Sequence, residues 1–393
     1  MESGPVDNSY SSWCEISASS LRTNLEQVRA HLAANTLLGV VVKSNAYGHG
    51  IVAVSDLASA SGADWLIVNS ISEAVTLRDA GITLPLYVCG PILPAQVPQI
   101  LDIDARVVVS DAEVLKAIID ASEAAKQPVK IHLKLETGTH RQGIPLSQLL
   151  PLAQRIALLP YVEFEGLTTH YADIEDTTEH EFAMGQLKQL QNAEAELASL
   201  GTSIPIVHSA NSAATLIWPE THGGLVRVGI AAYGLWPSRE TYATALQRAS
   251  EPTLGYVLPQ LNPVLSWRTR ISHINQVPAG DYVGYGRTFR ATYPMRMAVL
   301  PVGYFEGYRR ALSNAAHVLI HGVRAPVRGR ICMNMCMVDV THIPDAKVND
   351  VATLVGSQGD EAVSIEQLAE WAGTINYEMV TAIHSDQPRL VVQ

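Results

Sequence analysis

Cysteine is scarce in this chain. Cys14, Cys89, Cys332 and Cys336 are the 4 cysteines of its 393 residues, too few to staple a disulfide scaffold. Cys332 and Cys336 lack the paired histidines or second cysteine pair of a structural zinc site, so no metal is expected. Basic residues are also in deficit. Lys and Arg number 27 against 38 Asp and Glu, a net charge of -11 with no basic tail, which argues against nucleic acid as a partner. No apolar run approaches the roughly 20 residues of a membrane span. The stretch Met1–Ser12 is polar and acidic and lacks the basic and apolar regions of a secretory signal. These absences lead us to expect a cytoplasmic protein. Its hydrophobic content of 47% and charged content of 17% are ordinary for a globular chain with a sizeable core. Its length allows two domains or one large one.

Strand and helix patterns alternate over the first two thirds. Short β-rich runs recur at Leu37–Val42, Trp65–Asn69, Leu84–Val88, Ala105–Val109, Val129–Leu135, Val162–Thr169, Ile204–His208 and Leu225–Ile230. Helical patterns lie between most of them. Ser70 with Glu73, and Ser110 with Glu113, have capping-box spacing, Gly81 closes the segment Ser72–Ala80, and Thr178–Leu200 is a long helical pattern. Eight strands alternating with helices over about 240 residues predict an α/β fold, a (β/α)8 barrel of the TIM type. A doubly wound sheet is the weaker alternative, because no G-x-G-x-x-G opens the first unit.

Past about residue 250 the texture changes. Pro252 and the stretch Pro259–Pro263 read as a boundary, so a barrel domain is expected over 1–250 and a mostly β domain over 251–393. Strands are predicted within Val264–Val277, Met297–Val302, His317–Val327 and Met335–Val340, with one convincing helix, Ser364–Ala372. No internal repeat or low-complexity segment is evident.

The polar residues that carry chemistry cluster where a barrel places its active site, at the C-terminal ends of its strands. Leu37-Leu38-Gly39-Val40-Val41-Val42 reads as a strand buried on both faces, and Lys43 ends it. A lysine at the dry end of such a strand is a candidate for losing its charge, by deprotonation or as a Schiff base to an aldehyde cofactor. The bland reading is a strand-end lysine that snorkels to water. Ser44-Asn45-Ala46-Tyr47-Gly48-His49-Gly50 follows, a phenol and two glycines where a tight loop would bring backbone close to an anion. Lys134 ends the fifth strand and leads to Arg141; His170 ends the sixth; Asn211-Ser212 follow the seventh; Arg227 and Gly229 lie in or after the eighth. Singly, His170 reads equally as a satisfied core histidine, Arg141 as a solvated loop charge and Asn211 as a helix cap.

The string from Val41 to Gly50 closely resembles the pyridoxal-phosphate lysine motif of the alanine racemase family. The resemblance covers nearly the whole chain. Val283-Gly284-Tyr285-Gly286-Arg287-Thr288-Phe289 looks like its catalytic-tyrosine motif, Gly329-Arg330-Ile331-Cys332-Met333-Asn334-Met335 resembles its Gly-Arg-Val-Cys-Met-Asp segment, and Thr374-Ile375-Asn376-Tyr377-Glu378 matches its C-terminal tyrosine motif. The resemblance implies an amino-acid racemase that interconverts L- and D-alanine and uses pyridoxal 5'-phosphate. It implies that Lys43 holds the cofactor. Tyr47, Ser212, Gly229, Ile230 and Tyr377 would grip the phosphate, with His170 and Asn211 beside the cofactor and Arg227 against its pyridine nitrogen. Arg141 and the backbone of Met333 would bind the substrate carboxylate. Lys43 and Tyr285 would be the bases on opposite faces of the substrate. Lys134 would be carbamylated, and the enzyme would be a homodimer with shared sites, Tyr285 coming from the second subunit.

Two residues depart from the family pattern. Asn334 stands where Asp is usual and Gly284 where Ser is common, which leaves serine or a broader set of amino acids open as substrates. A diamino-acid decarboxylase shares the two-domain plan, but its late Cys-Asp pair and Gly-Ser-Gly loop are missing here. A non-catalytic pyridoxal-phosphate carrier would need only the barrel, against which the β-rich tail with Tyr285 and Tyr377 argues.

Overall fold

The computed structural model describes residues 9–393; most of the N-terminal stretch read above for a leader, 1–8, lies outside the described residues. These residues form two compact units. One holds Leu21–Ala46 and Ile51–Asn262; the other holds 9–20, Tyr47–Gly50 and Pro263–Gln393.

The first strand, β1 (Ser12–Ser17), belongs to the second unit. The next eight build the first: β2 (Leu37–Val41), β3 (Trp65–Val68), β4 (Leu86–Val88), β5 (Ala105–Val109), β6 (Val129–Lys134), β7 (Val162–Thr168), β8 (Ile206–His208) and β9 (Leu225–Val228). They run parallel in chain order, and β2 pairs with β9 in the register Leu37 with Leu225 to Val40 with Val228. Between β8 and β9 the closure is made by single bonds, Gly224 N–H to Val207 O at 2.8 Å and Arg227 N–H to Ala210 O at 3.0 Å. This is a nearly closed eight-stranded barrel, and each strand falls within one of the β-rich runs. β2, β3 and β4 are buried on both faces, as their apolar runs require. Gly39 permits the close strand approach: a Cβ there would lie 2.6 Å from Ile67 Cδ1 and 3.0 Å from Val226 O.

Local capping follows the sequence with one correction. Ser70 and Glu73 form the predicted capping box of helix Ile71–Asp79, and Gly81 follows its end at φ 84°. Helix Ala112–Ala125 is capped by Asp111 rather than by Ser110, because the Asp111 carboxylate accepts from the N–H groups of both Glu113 and Val114. The long pattern becomes helix Glu181–Ser199.

The second unit contains β10 (Leu265–Arg270), β11 (His273–Val277), β12 (Tyr282–Val283), β13 (Phe289–Arg290), β14 (Met295–Leu300), β15 (His317–Ile320), β16 (Val323–Pro326), β17 (Cys336–Asp339), β18 (Val351–Gln358), β19 (Glu361–Val363) and β20 (Arg389–Val392). One sheet has the order β16-β15-β18-β10-β1-β20 with β19 on β18, a second is β11-β14-β17, and β12 pairs with β13. The expected division at residue 250 differs from these units. β1 is taken into the β-rich unit by antiparallel pairing with β10 and parallel pairing with β20. Two helices follow β19: Ile365–Ala372, with the predicted Ser364 and Gln367 capping box, and Asn376–Thr381, which the sequence did not signal.

Candidate active site

The lysine motif folds into a left-handed turn. Val42 is buried and donates to Ile67 O at 2.8 Å, continuing the sheet. Then Ser44, Asn45, Ala46 and Tyr47 take φ values of 55°, 56°, 53° and 52°. The Ala46 N–H donates back to Val42 O at 2.8 Å. Left-handed helical backbone costs an L-residue roughly 1–2 kcal/mol, so four in succession persist only where surroundings hold them. Two side chains do so. The Glu73 carboxylate accepts from Ser44 N–H at 2.7 Å with one oxygen and from Asn69 N–H at 2.7 Å with the other. Asn45 Oδ1 accepts from Ile51 N–H at 2.9 Å, at the start of helix Ile51–Ala60. The strained turn Ser44–Tyr47 itself uses no glycine; the two glycines of the motif follow it, Gly48 at φ 81° and Gly50 at φ 101°. Lys43 is half-buried; the dry environment is reached at Val42, one residue earlier.

Across the barrel, Arg227 on β9 anchors a hydrogen-bonded chain. Its guanidinium donates to His208 Nδ1 at 2.6 Å, to Thr169 O at 3.0 Å and to Ser209 O at 2.9 Å. Arginine has no acceptor, so His208 Nδ1 must accept. A neutral His208 then carries its hydrogen on Nε2, 2.8 Å from His132 Nδ1. His132 in turn presents Nε2–H to Glu165 Oε2 at 3.1 Å. Glu165 is held by Arg106 at 2.9 Å and Lys130 at 3.6 Å. Burial lowers the pKa of both histidines, and the Arg227 charge adds to it. Burial raises that of Glu165, but the His132 hydrogen bond and the cations outweigh it, and its carboxyl is held below the ordinary value. Gly166 makes this packing possible, since a Cβ there would meet His132 Nδ1 at 2.2 Å.

Lys134, at the end of β6, is 7% exposed. Burial lowers its pKa to about 8, and the charges of Arg227 and Arg141 push the same way. His170 is half-buried, and burial together with Arg227, Arg141, Lys134 and Lys43 holds its pKa well below the ordinary value. Arg141, exposed in its loop, and His170 both line a cavity of about 320 Å3 whose rim carries Asp173, Glu175 and Asp176. Buried Gln186 ties the two strand-end loops together: it donates to Thr137 Oγ1 at 2.9 Å and to His170 O at 3.2 Å, and accepts from Ala172 N–H at 2.9 Å.

Ser212 begins helix Ser212–Ile217, and its hydroxyl oxygen accepts from Gly229 N–H at 2.9 Å and Ala231 N–H at 3.4 Å. With its lone pairs engaged, the hydroxyl hydrogen remains to be donated to an anion. Ile230 lies between those two amides and is fully buried. Asn211 caps the helix, its Oδ1 accepting from Ala214 N–H at 3.0 Å while its Nδ2 donates to Glu175 at 2.7 Å. The capping reading of Asn211 is thus its geometry here.

In the β-rich unit, the rings of Tyr47 and Tyr377 lie 6.1 Å apart. Tyr285 follows β12 and is 72% exposed. It lines a groove of about 900 Å3 with Tyr282, Tyr304, Met333, Asn334 and Met335. Gly284 has φ 73°, a backbone conformation that L side chains rarely adopt, which suits glycine at a position where the family commonly has serine. Asn334 donates to Glu306 Oε1 at 2.8 Å, and Glu306 Oε2 accepts from Gly303 N–H at 2.8 Å. An aspartate at 334 would set a second carboxylate against Glu306, so the amide suits this neighbourhood.

Within the barrel unit, an amine beside a strained turn, a guanidinium fixed by neutral imidazole and a serine hydroxyl are chemistry that suits a phosphorylated pyridine aldehyde; within the β-rich unit, a pair of phenols offers donors that suit a phosphate. Among these, the sequence reading missed Glu73, His132, Glu165, Gln186 and the role of His208. Glu73 was signalled only as a capping-box partner and His208 only as a strand end; His132 and Glu165 lie within β6 and β7 and Gln186 within helix Glu181–Ser199, with no signal of their own.

Residues 16–237 match the family described as alanine racemase, N-terminal domain, and residues 264–391 match alanine racemase, C-terminal domain. The chain is 39% identical to an alanine racemase of Leptospira interrogans, covering 99% of this chain and 98% of the relative. The solved alanine racemase of Streptomyces coelicolor superposes with a TM-score of 0.89 at 30% identity, covering 98% of this chain and 99% of that one. A histidine racemase from Leuconostoc mesenteroides, 23% identical, shares the fold with a TM-score of 0.87, covering 98% and 99%.

Proposed function

The chain belongs to the alanine racemase family, and on that premise we propose that it interconverts L- and D-alanine with pyridoxal 5'-phosphate on Lys43. The observation that carries this reading is the setting of Arg227, whose partners are imidazoles, a hydroxyl and carbonyls rather than a carboxylate. When bound, the cofactor draws electrons from the substrate and acidifies its α-hydrogen. Arg227 would meet the pyridine nitrogen and, because it keeps its own proton at neutral pH, would limit side chemistry such as transamination.

The remaining work belongs to side chains. Tyr47, Tyr377, the Ser212 hydroxyl and the Ile230 amide would hold the phosphate, the Gly229 amide donating to Ser212 Oγ and so orienting that hydroxyl, and His170 and Asn211 would line the cofactor site. Arg141 and the Met333 N–H hold the substrate carboxylate, for which a guanidinium fork is suited. Lys43 Nζ takes the α-proton from the D-enantiomer and returns it to that face; Tyr285 Oη serves the L-enantiomer. Tyr285 comes from a second copy of the chain, so the working unit is a homodimer with shared sites. Lys134 is carbamylated and carries an anion between Arg227 and Arg141. All four cysteines are free, which suits the cytoplasm.

Incubation with each L-amino acid followed by resolution of enantiomers tests the proposal. L-alanine should become a mixture of both enantiomers, and Lys43→Ala should abolish this. Serine turning over faster than alanine would move the substrate assignment, and release of carbon dioxide without D-product would overturn the reaction. Borohydride reduction and peptide mapping should find the cofactor on Lys43 and on no other lysine.

A further inference from the structure

We propose that Arg389 is a positioning residue that holds Tyr47 and Tyr377 in the arrangement that receives the cofactor's phosphate; this rests on the phosphate role given to those tyrosines above.

Arg389 opens β20, and its backbone is fixed by the parallel register with Cys14 of β1 and by the Cys14 N–H bond to Pro388 O at 2.8 Å. Its guanidinium reaches five backbone carbonyls. Nε donates to Gly48 O at 2.8 Å and Nη2 to Ile383 O at 3.2 Å. Nη1 is shared among His384 O at 3.1 Å, Ser385 O at 2.9 Å and Gln387 O at 2.6 Å. Gly48 directly follows Tyr47 at the end of the left-handed turn. Ile383 to Gln387 directly follow the helix Asn376–Thr381 that carries Tyr377. One rigid fork thereby clamps the two segments that present the two phenols.

The same two segments also touch directly. Gly48 has φ 81°, and a Cβ there would sit 2.0 Å from Val380 O. Backbone packs on backbone, so a residue that holds Gly48 O also sets the distance from Tyr47 to the helix. A planar guanidinium suits several carbonyls diverging from one point; a lysine ammonium has three donors on a flexible stem and reproduces only part of the set. All five partners of Arg389 are neutral dipoles, so its function here is to fix geometry.

The test is a titration of the full-length, cofactor-free enzyme with pyridoxal phosphate and, separately, with pyridoxal, which lacks the phosphate. Arg389→Lys should weaken pyridoxal phosphate binding by about 10-fold or more, the scale of a lost hydrogen bond to a charged group. It should leave pyridoxal affinity within about 2-fold. Equal loss for both ligands would mean that Arg389 is merely structural, and no loss for either would overturn the proposal directly. Tyr47→Phe and Tyr377→Phe are the controls. If neither lowers pyridoxal phosphate affinity, the phosphate reading fails; if they do and Arg389→Lys does not, only the positioning role fails. Should Arg389→Lys not fold, Gly50→Ala takes its place, because a Cβ at Gly50 meets Arg389 Cδ at 3.2 Å. The same selective loss of phosphate affinity is expected from it, and an equal loss of pyridoxal affinity counts against the proposal.

Discussion

His132 Nδ1 lies 2.8 Å from His208 Nε2 in the barrel interior, both rings buried. Because Arg227 only donates, this bond has one direction, from His208 to His132 and on to Glu165. His208→Leu leaves the Arg227 guanidinium without its nearest acceptor, a loss worth about 1.5–3 kcal/mol for a bond to a charged group. Turnover should fall by about 10-fold to 150-fold, and His208→Gln, which keeps an acceptor, should recover part of it. Steady-state racemisation rates measure this, and wild-type turnover in His208→Leu would show the chain to be catalytically idle. Nitrogen-15 NMR should find His208 protonated on Nε2.

The same pair predicts acid sensitivity. Burial lowers the folded-state pKa of His132 and His208, with His208 well below its ordinary value. As pH drops through about 6.5 the unfolded chain binds protons that the folded chain refuses, so stability is full above that value and lost below it. Each histidine contributes up to about 1.4 kcal/mol per pH unit to this loss. Urea unfolding between about pH 7 and pH 5 should show a falling midpoint, with a shallower slope in His208→Gln.

Glu73 should matter more than a helix cap normally does. Its carboxylate completes the capping box of Ile71–Asp79 and also accepts from Ser44 N–H. A cap is typically worth about 1 kcal/mol, yet Glu73→Ala also frees a strained turn beside Lys43. Cofactor affinity should drop by about 10-fold or more while the melting temperature falls only by the few degrees that a lost cap explains. Glu73→Gln retains one acceptor and should lie between. A melting shift with unchanged cofactor affinity would confine Glu73 to capping.

Lys134, with a pKa lowered to about 8, should be readily modified. Its neutral share rises from about a tenth at pH 7 to about nine tenths at pH 9, and only the neutral amine adds carbon dioxide. Carbon-13 bicarbonate should yield a carbamate signal that strengthens over this range and is missing from Lys134→Ala. An unlabelled Lys134 across the range would remove the carbamate without touching the racemase reading.

Shared sites predict complementation. Lys43→Ala and Tyr285→Ala subunits, each inactive alone, should regain activity when mixed and exchanged. Random pairing puts one intact site in half of the dimers, so roughly a quarter of wild-type sites should return. Free exchange with no recovered activity would falsify the shared site.

The sequence by itself determined the barrel and the ends of its strands. Leu37–Val42 and Trp65–Val68 are apolar runs whose burial on both faces needs no long-range information, the other strands are β-rich runs spaced by helical patterns, and the box Ser70 to Glu73 is complete within four residues. Lys43, Lys134, His170 and Arg227 were legible because strand ends in a parallel barrel converge by topology. What only the tertiary structure decided depends on residues far apart in the chain. β1 leaves the barrel for the β-rich sheet because β10 and β20 satisfy its backbone, and those partners lie some 250 and 375 residues away. The left-handed course of Ser44–Tyr47 runs against the local preference of Ser44, Ala46 and Tyr47; only Asn45 tolerates it readily. It is held by the Glu73 carboxylate and the Asn45 amide, and the Arg389 guanidinium fixes Gly48 just after it. The histidine chain reads in sequence as three ordinary strand residues; it becomes a chain only because Gly166 leaves the space of a side chain for His132. Local propensity and burial are short-range quantities, and hydrogen bonds between distant segments are not.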